Sequence, residues 1–176
     1  MAALMGFPDF LSAAEPPFKL PAQADLNKLD SATIFTSKGR LHFRLFPHEA
    51  PWHVANFKYR ADKGLYKNTA FHIHHQDYII QGGGPVSSPA SSAAYGLPAE
   101  FNEHKHIYGA LGMARRADMA NPERSSSGNQ FHILLGENSR MNGAFTVFGE
   151  LLGDGAVLDS LKAGDRIEDI KVYVNP

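Results

Sequence analysis

The sequence predicts an all-β fold, a closed antiparallel barrel accompanied by two α-helices. Three observations lead to it. Short runs of β-branched and aromatic residues recur from residue 31 to the C-terminus, several of them alternating apolar with polar side chains. The segments between them are rich in Gly, Ser, Asn and Pro, the residues that turn a chain. Only two stretches carry helical spacing, too few to supply the crossover helices of a parallel sheet. With 176 residues, 43% of them hydrophobic, the chain has the size of one domain with a core large enough to fold without staples.

Taken in order, residues 1–30 read as a leader or arm. Pro8, Pro16, Pro17 and Pro21 interrupt them and no period is sustained. The apolar stretch 1–11 has no Lys or Arg ahead of its hydrophobic residues and is broken by Pro8 and Asp9, so it reads poorly as a signal peptide. The domain is expected over 31–176 and opens with a hairpin. Residues 32–36 are β-prone, Ser37, Lys38 and Gly39 form a turn, and Leu41, Phe43 and Leu45 alternate with His42 and Arg44. Residues 49–63 switch to helical spacing, with Ala50, Val54, Phe57 and Ala61 on one stripe, Pro51 in the first turn and Gly64 as the stop. Strands are expected at 70–75, 78–81, 107–114, 130–135 and 145–151. A second helix is expected over 156–162, where Val157, Leu158 and Leu161 share a face and Gly164 ends it, before a last strand through Ile170, Val172 and Val174.

Charge and composition narrow the function. Lys plus Arg (17) nearly balances Asp plus Glu (18), so no global positive field gathers nucleic acid or an anionic membrane, and a neutral partner fits better. No stretch reaches the roughly eighteen apolar residues of a membrane-spanning helix. Cysteine is absent, which excludes disulfides, thiolate metal sites and a cysteine nucleophile, and is equally compatible with a cytoplasmic and a periplasmic location.

Particular residues carry the reading further. Phe71-His72 is followed by Gln81-Gly82-Gly83-Gly84-Pro85, then Gly112-Met113-Ala114-Arg115, then Ser127-Gly128-Asn129-Gln130-Phe131, then Asn142-Gly143 with Phe145-Thr146-Val147-Phe148-Gly149. Ala50-Pro51 and Asn56-Phe57 precede them on the first helix. In order and spacing these blocks resemble the motifs of the cyclophilin-type peptidyl-prolyl cis-trans isomerases, over about residues 31–174, and Met-Ala-Arg looks like the bacterial branch. The resemblance implies an eight-stranded antiparallel barrel capped by two helices, with a peptide groove on its outer surface. It also implies a monomer without cofactor or metal, acting on proline-containing peptides or unfolded proteins. The reaction breaks no bond: rotation about X-Pro faces a barrier of roughly 20 kcal/mol, lowered by an apolar grip on the proline ring, donors to the neighbouring carbonyl and a cation at the proline nitrogen.

In register with the family, the catalytic arginine falls on Ile73, so the cation is missing. The resemblance puts Gln81, Tyr78 and His132 at the catalytic centre, and Ile79, Ala114, Arg115, Gln130, Met141 and Phe145 around the substrate, with Gln81 and Gln130 as the amides that position its backbone. Tyr78, Ile79, Ala114, His132, Met141 and Phe145 stand where relatives usually have Phe, Met, Ala, Phe, Leu and His. Arg140 replaces the tryptophan used by drug-binding members, which weakens the case for cyclosporin-type ligands. The sequence therefore supports an isomerase of reduced activity or, as the alternative, a non-catalytic proline-peptide module. His75, two residues from Ile73, or His132, if protonated, could replace the cation in part. His72, His74, His75 and His132 are better read as core or solvated histidines than as a metal site, and Gly82-Gly83-Gly84 as a tight strand exit rather than a phosphate loop. The stretch 115–127 reads as a solvated loop and Trp52 as packing. One further reading has the leader to Asp30 covering the groove and regulating it.

Overall fold

The computed structural model describes residues 14–176. A single helical turn, α1 (Gln23–Leu26), precedes the hairpin β1 (Ser31–Thr36) and β2 (Gly39–Leu45). Helix α2 (Pro51–Asp62) leads to β3 (Thr69–His75) and β4 (Ile79–Gly82). Then come β5 (Gly96–Leu97), β6 (Ala110–Met113), β7 (Ser126–Ser127), β8 (Phe131–Leu134) and β9 (Val147–Leu152). A short helix α3 (Ala156–Ser160) and β10 (Arg166–Tyr173) complete the chain.

Eight strands close into an antiparallel barrel in the order β1-β10-β3-β4-β8-β6-β9-β2, while β5 and β7 pair apart as a two-stranded sheet. Closure leaves no barrel edge open to pair with another chain. Inward-facing Phe131 is the hub of the core: its ring meets Phe57 of α2, Tyr66 and Phe71 edge-on, with centroids 5.8, 5.7 and 6.2 Å away. Such T-shaped contacts set the electropositive ring edge against the electron-rich face. Helix α2 lacks a side-chain cap at Ala50. Glu100, from a distant loop, supplies one: its carboxylate accepts the backbone N–H of Trp52 at 3.0 Å and of His53 at 3.1 Å, and the Nδ1–H of buried His53 at 2.6 Å. The two backbone N–H groups are among the four that every helix start leaves unpaired.

Three expectations need correction. The strand expected at 107–114 is only Ala110–Met113, because Ile107 and Tyr108 are exposed and Gly109, at φ 80°, turns the chain ahead of it. The second helix stops at Ser160, since Leu161 is extended. The arm is not separate from the domain throughout: Leu26 and Leu29 are buried in the barrel's core cluster, and Lys28 O accepts the backbone N–H of Asn175. The stretch 1–11, read against a signal peptide, lies outside the described residues.

Candidate active site

A β-bulge builds the site. Strict alternation along β3 would put Ile73 on the same face as Phe71, which is fully buried inside the barrel. The pairing with β4 slips between them, however: Phe71 faces Gly82 and Ile73 faces Gln81. Two residues of β3 oppose one step of β4, so Ile73 turns to the outer face. A lateral row then runs across the wall, Ile73 opposite Gln81, Gln81 opposite His132, and His132 opposite Gly112.

The amides along this row are locked by hydrogen bonds. Gln81 Nε2 donates to Gln130 Oε1 at 2.9 Å, and Gln130 Nε2 donates to Ala90 O at 2.8 Å. The 85–92 loop reaches Gln130 because Gly84 has no side chain: a Cβ there would lie 1.7 Å from Pro89 O. Ser127 and Asn129 hold the approach to Gln130. Ser127 donates its N–H to Ala114 O at 2.7 Å, and Asn129 Oδ1 accepts the N–H of Ala93 at 2.7 Å.

Below the row lies a second apolar cluster, outside the barrel. Ile79, Met141 and Phe145 pack there with Phe46, Ala110, Leu134 and Val147. Phe145 stands edge-on to His132, centroids 5.9 Å apart. The structure thus brings Ile79, His132, Met141 and Phe145 together. Tyr78 does not join this cluster. It stands exposed on the β3–β4 turn, its ring stacked on His75 at 6.3 Å.

His132 corrects a second expectation, that its ring could serve as a cation. It is almost wholly buried, its Nε2 has no partner, and a Cβ on Gly112 would come within 2.5 Å of that nitrogen. Burial pushes its pKa down to about 3, and neighbouring His106 adds in the same direction. His106, absent from the sequence reading, lies 6.2 Å away centroid to centroid and donates Nδ1–H to Asn142 Oδ1 at 3.1 Å. Burial also holds its pKa below the ordinary value. Both imidazoles are neutral near pH 7 and pack as aromatic rings. The other histidines do not converge: His74 faces Ile80 while exposed His75 faces Ile79.

Arg115 does more than present its backbone. Its guanidinium lies over the Phe145 ring, 4.6 Å from the centroid, and Nε donates to Ala144 O at 2.6 Å. Nη1 donates to Asp118 Oδ1 at 2.6 Å, while Arg124 Nη2 donates to Asp118 Oδ2 at 2.8 Å. The two guanidiniums hold the Asp118 carboxyl below its usual range. Arg115 is therefore pinned to the rim of the site, while residues 116–120 and 122–123 beyond it are exposed, in keeping with a solvated loop.

Comparison with known proteins agrees with this fold. Residues 31–175 match the sequence model of the family described as cyclophilin type peptidyl-prolyl cis-trans isomerase/CLD. The chain is 32% identical over 149 residues to a peptidyl-prolyl cis-trans isomerase of Synechococcus elongatus, covering 84% of this chain and 99% of that protein. It is 30% identical over 135 residues to peptidyl-prolyl cis-trans isomerase B of Bacillus subtilis, covering 76% and 90%. Among solved structures, a cyclophilin-type isomerase of Cryptosporidium parvum superposes with a TM-score of 0.73 at 29% identity, covering 84% of this chain and 99% of the other. The same Cryptosporidium protein was also solved in the presence of the dipeptide Ala-Pro, and matches with a TM-score of 0.72 at 28% identity over 82% of this chain and 99% of that one. The chain belongs to the cyclophilin-type peptidyl-prolyl cis-trans isomerases.

Proposed function

We propose that this protein binds X-Pro segments of peptides or unfolded proteins on the outer face of the β3–β4–β8–β6 wall, and isomerises them slowly. The observation that carries the reduced rate is Ile73, directly opposite Gln81, with no cationic side chain in the row of Ile73, Gln81, His132 and Gly112. The apolar cluster of Ile79, Met141 and Phe145 grips the proline ring, and Gln81 and Gln130 hold the substrate backbone. Arg115 stacks on Phe145 and offers its backbone to the peptide while its side chain is spent on Asp118 and Ala144. His132 is an uncharged floor. Presence of Ala-Pro with the Cryptosporidium relative supports the choice of ligand.

Losing one donor aimed at transition-state charge costs about 3 to 4 kcal/mol, or two to three powers of ten in rate. A protease-coupled proline-peptide assay of wild type against Ile73→Arg, beside a peptide-binding measurement, tests this. The arginine is expected to raise kcat/KM by about a hundredfold or more with unchanged affinity. Wild-type rates equal to those of ordinary relatives would defeat the reading. A second reading, a binding module with no turnover, rests on the same Ile73 and is favoured if wild type binds proline peptides without accelerating their rotation.

A further inference from the structure

The family match begins at residue 31, yet the chain ahead of it touches the flank of the groove. Ala14 bridges Tyr95 in parallel, beside β5, and the Phe18 ring packs on Trp52 and Tyr59 of α2 at 5.9 and 5.3 Å. Ala14 also lines a cavity of about 490 Å³, together with Ser92, Ala94, Arg116, Asn121 and Ser125. Ser127, on the same cavity, donates to Ala114 O, so the cavity and the groove share a wall.

Tyr95 links the arm to the site. Its hydroxyl donates to Asn56 Oδ1 at 2.7 Å and lies 3.3 Å from Gly128 O, two residues before Gln130. The ring fills the space above Gly128, where a Cβ would lie 2.6 Å from it. Toward Phe18 the bridge stops for a reason written in the sequence: Pro16 and Pro17 follow Ala14 closely and have no N–H to continue a ladder. Among the described residues of the arm, Phe18 packs its ring on α2.

We infer that the arm is a strap that sets which side chains beside the proline this cavity admits. Docked, Ala14 narrows the cavity to small side chains; released, it opens the cavity to large ones. The inference rests on the outer face being the peptide groove.

Trp52 is the chain's one tryptophan, so its emission reports whether Phe18 is docked. The test titrates wild type, Phe18→Ser and Ala14→Phe with proline peptides carrying Ala or Phe on either side of the proline, reading affinity by calorimetry and arm position by Trp52 emission. Wild type is expected to bind the Phe peptides at least tenfold more weakly than the Ala peptides, with a red shift of Trp52 only on binding Phe peptides. F18S is expected to start red-shifted and to lose the discrimination, and A14F, at an exposed position, to sharpen it tenfold further. An equal Phe-to-Ala ratio in all three proteins overturns the strap and leaves the groove intact. Absence of proline-peptide binding in all three overturns the groove, and the strap with it.

Discussion

The two faces of the β4–β8 wall are made by neighbouring residues and do opposite work. Inside, Ile80, Phe131 and Ile133 are fully buried among other apolar groups. Outside, Gln81 and His132 carry polar atoms into a site that is nearly as closed, and His132 Nε2 is left without a partner. The inner face follows the rule that a core is apolar and dense. The outer face breaks the rule that buried polar atoms are paired, and such breaks gather where a ligand is handled. Buried area alone would rank Phe131 and His132 together. Chemistry separates them, because truncating the first opens a cavity, whereas exchanging the second for another ring leaves the volume filled.

The largest effect should come from the inside. Phe131→Ala removes the hub of four aromatic rings and is expected to cost about 3–5 kcal/mol, measured by urea unfolding. A cost below about 1 kcal/mol would mean that Phe57, Tyr66 and Phe71 close over the gap and the comparison loses its force. His132→Phe, one residue along, should keep the fold.

Acid should single out the outer face. The folded pKa of His132, about 3, lies below its unfolded value of 6.5, so the unfolded chain binds the extra proton between them. Stability is whole above pH 6.5 and falls as pH drops toward 3. At pH 5 the loss from this residue is about 2 kcal/mol, since each unit is worth about 1.4 kcal/mol. Denaturant midpoints at pH 5 and 7 read it, and His132→Phe should flatten the difference. An unchanged acid loss in that variant would assign it to other groups. For the same reason, acid should not rescue isomerisation through His132.

Smaller again is the cap. Glu100→Ala removes the acceptor for three donors at the start of α2 and is expected to lower stability by about 1–2 kcal/mol, read as a shift in thermal midpoint. No shift would mean that water replaces the carboxylate. The smallest effect belongs to Tyr78, which stands outside the apolar cluster. Tyr78→Ala should change stability by less than about 0.5 kcal/mol and proline-peptide affinity by less than about threefold. A tenfold loss of affinity would return Tyr78 to the groove.

Much of the molecule was legible before it folded. Period-two alternation announced β2, and the stripe of Ala50, Val54, Phe57 and Ala61 announced α2, because backbone geometry alone fixes which face those residues share. The blocks around Gln81, Gln130 and Phe145 announced the family. Three features were not legible. The bulge that turns Ile73 outward depends on how β3 meets β4. The neutral pair of His106 and His132 depends on a loop and a strand distant in sequence meeting behind Phe145. The cap that Glu100 gives α2 depends on a loop 48 residues away reaching the start of the helix.

The sequence by itself determined most of the elements, since these follow from local spacing and residue identity. Only the tertiary structure decided which side chains are charged, capped or covered. Protonation, capping and burial depend on neighbours that barrel closure brings together from distant parts of the chain, and local periodicity carries no information about that closure.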